Sequence, residues 1–234
     1  MERQEHYREE YRRRKPGWRD SLALYREQVD EAVEAESWVL DLGCGHADLL
    51  APVLAKTPHT VGIDPDHRAL AKNRVVRHRV RGAGECLPFR DGSFDAVAAA
   101  WVVEHLTDPT AVACEVHRVL RPGGRFVFLT PNALNPNVWL IRAVPNRLHD
   151  PLTRRLYGRQ ERDTYPVCYR MNTPRAIDGV LLPLGFTKVR LHLTGDPSYL
   201  SFDPTTFWLA CALEALIERV AGGAKVHLVG VYAA

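Results

Sequence analysis

Val39-Leu40-Asp41-Leu42-Gly43-Cys44-Gly45-His46-Ala47 decides how the rest of this chain is read. A short apolar run passes directly into a turn with two glycines, and a helical pattern follows, which is the start of a β-turn-α unit. Glycine at a strand's carboxyl end admits left-handed backbone and lets a ligand approach the main chain. A dinucleotide fingerprint, GxGxxG, would need a third glycine where this chain has Asp48. An anion there opposes a pyrophosphate, so NAD and FAD are disfavoured. A cationic ligand without phosphate meets no such objection.

Outward from that stretch, short apolar runs alternate with helical spacing, as in βαβ units with right-handed crossovers. The pattern predicts strands at 38–42, 59–63, 79–83, 94–100 and 125–130 and helices at 46–56, 66–76 and 109–120, the last stopped by Arg121-Pro122-Gly123-Gly124. Further on it predicts a helix at 173–184, with Thr173 as cap and Pro174 at its first position, and a strand at 186–194. An apolar helix at 204–221 and a last strand at 225–233 complete the pattern. The expected fold is α/β, a Rossmann-like, doubly wound, mostly parallel sheet with an antiparallel last strand. Residues 1–36 read as an N-terminal helical arm and 37–234 as the main domain. A long irregular insert at about 131–172 should face the substrate.

The composition allows one substantial core in 234 residues, 46% hydrophobic and 25% charged. A net charge of +3 and a pI near 8.6 fall short of a dedicated nucleic-acid binder. Cys44, Cys86, Cys114, Cys168 and Cys211 are scattered without zinc-ligand spacing, so no metal is expected and a reducing cytoplasm fits. Met1–Lys15 alternates Arg and Glu and no run approaches the ~18 apolar residues of a membrane span, so the expectation is a soluble, cytoplasmic protein.

Three further stretches carry chemistry. Val61-Gly62-Ile63-Asp64 is an apolar strand ending in a carboxylate 23 positions beyond Asp41. An ionised Asp at that edge can accept from both hydroxyls of a ribose. Gly84-Glu85-Cys86-Leu87-Pro88-Phe89-Arg90-Asp91-Gly92-Ser93-Phe94-Asp95-Ala96-Val97 and Glu115-Val116-His117-Arg118-Val119-Leu120-Arg121-Pro122-Gly123-Gly124-Arg125-Phe126 complete the set, the latter as a helix end, turn and strand start.

Together the four stretches resemble the class I S-adenosylmethionine methyltransferases, whose first motif reads D/E-x-G-x-G-x-G. Asp41, Gly43 and Gly45 match it and Ala47 departs. The resemblance implies S-adenosyl-L-methionine as cofactor, touched by Asp41, Gly43, Cys44, Gly45, Asp64, Pro65, Gly84, Glu85 and Trp101. Where relatives place an Asp against the adenine amino group this chain has Ala83, which leaves Glu85 or the backbone near Gly84 for that contact. Trp101 reads equally well as an adenine neighbour or as core filling.

Transfer from a sulfonium needs alignment more than acid–base machinery. A hydroxyl acceptor benefits from a base, and His105, just beyond the fourth strand, is the catalytic candidate; its alternative role is to order the loop. Glu104 is a weaker candidate. The partner expected is a small-molecule acceptor methylated on oxygen: a metabolite, a sugar or a lipid-like compound. The rivals are an RNA base methyltransferase, since wobble-uridine enzymes share the four motifs, and a noncatalytic S-adenosylmethionine-binding module. Arg142, Arg147, Arg154, Arg155, Arg159 and Arg162, beside Trp139, Tyr157, Tyr165 and Tyr169, read either as a grip on an anionic substrate or as an aromatic-packed lid.

Overall fold

The apolar runs close into seven strands in the computed structural model, which describes residues 2–46, 48–143 and 166–234. These are β1 (Val39–Leu42), β2 (Thr60–Asp64), β3 (His78–Arg81), β4 (Phe94–Ala100), β5 (Leu120–Pro131), β6 (Thr187–Thr194) and β7 (His227–Ala233). They form one sheet in the order β3-β2-β1-β4-β5-β7-β6. The pairings from β3 through β5 are all parallel, and β7 runs antiparallel to both β5 and β6. This is the doubly wound sheet with an antiparallel last strand that the sequence predicts.

Helices cover both faces: α1 (Glu2–Arg14), α2 (Ser21–Glu31), α3 (Ala51–Leu54), α4 (His67–Lys72), α5 (Pro109–Val119), α6 (Pro136–Ala143), α7 (Pro174–Leu181) and α8 (Pro204–Val220). Because successive strand residues point to opposite faces, the sheet supports two cores. On one side Leu40, Leu42, Val97, Phe126 and Phe128 meet Val112 and Val116 of α5 and Ile177 and Leu181 of α7. On the other, Val39, Ala98, Val127, Leu129 and Val231 meet Leu24, Tyr25 and Val29 of α2 and Val53 and Leu54 of α3. Side-chain caps start the helices: Asp20, Asp108, Thr173 and Asp203 each accept from a first-turn amide.

Several boundaries depart from the periodicity. The helix predicted at 46–56 shrinks to α3, because Pro52 is tolerated only in a first turn and Leu50 offers no capping side chain. The helix predicted at 66–76 stops at Lys72, where Asn73 turns extended and lends its side chain to another loop. The strand predicted from 125 begins at Leu120, with a register irregularity opposite Phe94 and Ala96. Arg118 accounts for two of the sequence motifs at once. Its guanidinium bonds Glu115 and Asp91 and also donates to the carbonyls of Leu87 and Phe89, tying α5 to the Leu-Pro-Phe stretch.

The charged start of the chain is helical. α1 docks on α8 through Tyr7 stacked on Phe207 at 4.9 Å and on the turn after β6 through Arg8 donating to buried Asp196 at 2.9 Å. α8 leaves Trp208, Leu209, Leu216 and Val220 exposed. Trp139 is exposed on α6, its indole N–H donating to Ala133. Ala47, the side chain of Arg142 and residues 144–165, with Arg147, Arg154, Tyr157, Arg155, Arg159, Arg162 and Tyr165, lie outside the described residues. Among the described residues no helix is long and apolar enough to cross a membrane.

Phe128 pairs across the sheet with Gly230, and a Cβ at 230 would stand 2.2 Å from the ring's Cζ. Gly230→Ala therefore has to displace a fully buried ring. Urea denaturation is expected to show a loss of about 1–3 kcal/mol, the usual cost of overpacking; an unchanged midpoint would contradict this packing.

Candidate functional site

The strand order reverses between β1 and β4: the chain steps outward from β1 to β2 and β3, then returns to β4 on the other side. Open α/β sheets bind ligands at the carboxyl ends of the strands flanking that point. The first glycine turn sits there. Gly43 has φ +70°, and a Cβ on it would stand 2.4 Å from Val102 Cγ2, so neither the backbone nor the space tolerates a side chain.

The turn's amides are already committed. The N–H groups of Gly43 and Cys44 both donate to the Ile63 carbonyl, at 2.8 and 3.2 Å. That of Gly45 donates to Asp64 Oδ2 at 2.9 Å, and Asp66 N–H donates to Asp64 Oδ1 at 2.8 Å. Asn73, buried and absent from the sequence reading, donates to the carbonyls of Cys44 and Gly45 at 3.3 and 3.0 Å. No local motif marks Asn73: it reads as an ordinary helical residue until the fold brings it under the turn. A glycine loop that holds phosphate needs unengaged amides; this one spends all three on its own structure.

What the crevice offers a ligand is negative charge. Asp64 is 8% exposed, and the two amides that hold it aim its carboxylate at the edge of the sheet. Asp41, at the end of β1, is partly exposed, and its carboxyl is pushed up to about 7 by burial and, secondarily, by Asp64. Beneath it Tyr25 of α2 is fully buried, its hydroxyl raised well above the ordinary range by burial and then by Asp41. Cys44 is buried, its thiol beside Gly62 and pushed up to about 12 by burial. Any ligand contact at Cys44 is therefore through the main chain.

The remaining residues fall at two distances from this centre. Trp101 closes β4 in the left-handed region, φ 59°, an uncommon conformation for a bulky residue and one that clusters at functional sites. Its amide donates to Leu129 at 2.9 Å and its ring meets His227 edge-on at 5.1 Å, with Tyr199 beyond at 5.3 Å. Pro65 and Glu85 are exposed on the rim, and Gly84 backs onto Val112 and Leu42.

His105 lies in a short 3-10 turn, Val103–His105, directly after β4. Its Nδ1 is 2.9 Å from the Pro166 carbonyl. Since a carbonyl can only accept, Nδ1 carries the proton and Nε2 is the basic nitrogen of the neutral ring. The same turn anchors the chain returning from the insert: Cys168 and Tyr169 donate their amides to the Glu104 carbonyl at 2.7 and 3.1 Å. Glu104 itself is buried and accepts from Thr130 at 2.9 Å, which in turn accepts from Asn172 at 2.6 Å. Glu104 thus fastens 166–172 beside the crevice.

This architecture is similar to that of solved proteins named as S-adenosylmethionine-dependent methyltransferases. Residues 40–128 match the family described as methyltransferase domain. A protein of Mycolicibacterium smegmatis named as a probable S-adenosylmethionine-dependent methyltransferase is 40% identical over 102 residues, 41% of this chain and 38% of that protein. The ubiquinone biosynthesis O-methyltransferase of Pseudomonas aeruginosa is 32% identical over 114 residues, 45% of this chain and 49% of the enzyme. The chain thus spans half or less of the length of these relatives. An S-adenosylmethionine dependent methyltransferase from Mesorhizobium loti superposes with a TM-score of 0.58 at 16% identity, covering 92% of this chain and 98% of that one.

The raised Asp41 carboxyl gives a signed prediction. Between the unfolded value near 3.9 and about 7 in the fold, the native state holds the extra proton. The cost of burying the anion is therefore absent at low pH and grows as pH rises through that window. Asp41→Asn should melt several degrees above wild type at pH 8 and no higher near pH 4, the gap opening as pH rises through that window. A melting curve with the gap reversed would show that Asp41 is not strained by burial.

Proposed function

We propose that this chain binds S-adenosyl-L-methionine in the crevice beyond β1 and β2 and transfers its methyl group to an oxygen of a small-molecule acceptor. The observation that carries the reading is the division of labour at the glycine turn: its three amides are bonded internally, while the carboxyl groups of Asp41 and Asp64 stand at the crevice. That arrangement suits a cationic adenosyl sulfonium and opposes a pyrophosphate. When bound, the cofactor supplies an electrophilic methyl on a positively charged sulfur.

The chain's own residues then have separable roles. Asp64 accepts from the ribose hydroxyls, held in place by the amides of Gly45 and Asp66. Asp41, Gly43, Cys44, Gly45 and Pro65 line the cofactor, with Gly84, Glu85 and Trp101 on the adenine side. His105, with its proton on Nδ1, takes the acceptor's hydroxyl proton at Nε2. The arm of residues 1–36 precedes a catalytic domain of 37–234 that contains the insert at about 131–172, and the returning segment 166–172 lies where an acceptor would enter. Oxygen as the methylated atom is favoured by the Pseudomonas aeruginosa relative and by a basic nitrogen beyond β4, and the free thiols suit a reducing cytoplasm.

Calorimetry should show Asp64→Ala weakening S-adenosylmethionine binding by about 1.5–3 kcal/mol, the scale of a lost charge-assisted hydrogen bond. Affinity equal to wild type would remove Asp64 from the cofactor site.

His105→Ala is expected to slow turnover about 10²-fold or more with cofactor affinity nearly intact, as for loss of a general base. Label from methyl-labelled S-adenosylmethionine should enter a small-molecule fraction of cell extract; label found in RNA would redirect the reading to a base methyltransferase.

A further inference from the structure

Residues 67–84 hold Arg68, Lys72, Arg74, Arg77, Arg79 and Arg81 and no acid. The fold gathers these cations at one margin of the molecule, because α4 and β3 are consecutive and β3 is the outermost strand of the sheet. β3 runs parallel to β2, so α4 between them returns in the opposite direction beside it. Arg81 Nε donates to the Pro65 carbonyl just before α4, and Arg79 Nη1 donates to the Asn73 carbonyl at its end, both at 3.2 Å. Val80, between them, packs into the core on the opposite face. Two rows result: Arg68, Lys72 and Arg74 along the helix and its exit, and Arg81, Arg79 and Arg77 along the strand and its entry. Arg68 and Lys72 are one helical turn apart, about 6 Å, and Arg79 and Arg81 are two strand residues apart, about 7 Å.

All six side chains belong to exposed residues, and no carboxylate neutralises them. Among the described residues no ion pair involves any position from 60 to 90, while many cations elsewhere are paired, as Lys56 with Asp30, Arg121 with Asp95 and Lys188 with Asp178. The acids that bound the stretch stand at its ends: Asp66 accepts from the Arg68 amide, and Glu85 is on the crevice rim. Arg79 and Arg81 are held by carbonyls, which fix their positions and leave their charge intact. Like charges gathered this closely repel one another, a cost that a partner of opposite sign removes.

Charge is all that this surface offers. No large apolar side chain is exposed between 60 and 90, and no Phe, Tyr or Trp occurs from 60 to 88. A nucleic-acid strand would meet one row, and such strands are ordinarily gripped by rings that stack on the bases. Two rows side by side without a ring suit a plane of mobile anionic headgroups, which adapt to any spacing of cations. Clusters of about four to eight Lys and Arg are drawn to such surfaces. We propose that the α4–β3 margin is an electrostatic docking surface for an anionic lipid bilayer. Arg81 is level with Asp64 in the sheet, so docking holds the carboxyl edge of the strands beside the headgroups. The inference goes beyond the methyl-transfer reading and uses none of the side chains assigned there to the cofactor.

Flotation of the whole chain with lipid vesicles is the test. Vesicles of phosphatidylcholine with about one-third phosphatidylglycerol should bind it at least ten-fold more tightly at low salt than phosphatidylcholine alone, and about 0.5 M salt should abolish the difference by screening. Arg68→Gln, Lys72→Gln and Arg74→Gln combined should lower affinity for the anionic vesicles at least ten-fold, with melting temperature and S-adenosylmethionine binding unchanged. Arg125→Gln, Arg175→Gln and Arg219→Gln combined remove the same charge elsewhere and should leave vesicle binding near that of wild type. Equal affinity for the two vesicle types, an unaffected α4 variant or an equal loss in the control variant would overturn the proposal. Tighter binding to polyuridylate than to the anionic vesicles at equal phosphate and salt would overturn it too, in favour of nucleic acid. Should the α4 variant not fold, Arg74→Gln with Arg77→Gln, expected to weaken binding severalfold, takes its place. Failure of S-adenosylmethionine to bind would leave this result standing, since flotation is read without it.

Discussion

The bond from Gly45 N–H to the Asp64 carboxylate joins the ends of β1 and β2 and gives the crevice its character. Together with the two amides that converge on Ile63, it closes the first turn on its neighbour strand, so the turn is a rigid lip that needs no ligand to hold it. Asn73 clamps the same lip from below through its carbonyls. Because the amide donors are consumed, the electrostatic sign of the crevice is set by Asp41 and Asp64 instead of by exposed N–H dipoles. A fold that elsewhere cradles phosphate is thereby turned toward a cation.

Holding two carboxylates close together at a partly buried edge has a thermodynamic consequence. Asp41 ionises with difficulty, at about 7, so the fold disfavours its charged form. A cationic ligand would relieve that strain by lowering the free energy of the ionised form, which converts an unfavourable site into ligand affinity. The left-handed Trp101 at the end of the adjacent strand is a second local cost in the same place. Both costs are supported by the double core, where strands buried on both faces leave the carboxyl edge little freedom to relax.

The second half of the chain supplies position more than chemistry. The Glu104 carbonyl and side chain gather the returning segment, Thr130 and Asn172 into one buried network. His105, one residue on, is oriented by the same segment through Pro166. The orientation of the candidate base thus depends on the chain that follows the insert, through its contact with the Pro166 carbonyl.

The amino-acid sequence alone determined the βαβ order, the glycine turn, Asp64 at the end of β2 and the cap at Thr173, because each is a short-range pattern of apolar period, turn residue or side-chain cap. It also disfavoured a dinucleotide, through Asp48. Only the tertiary structure decided that α3 is a single turn, that Asn73 leaves its helix to hold the glycine turn, that the turn's amides are engaged, and that His105 is bonded to Pro166. The last three join residues about twenty or more positions apart, and periodicity carries no information about which distant polar group will satisfy a given donor.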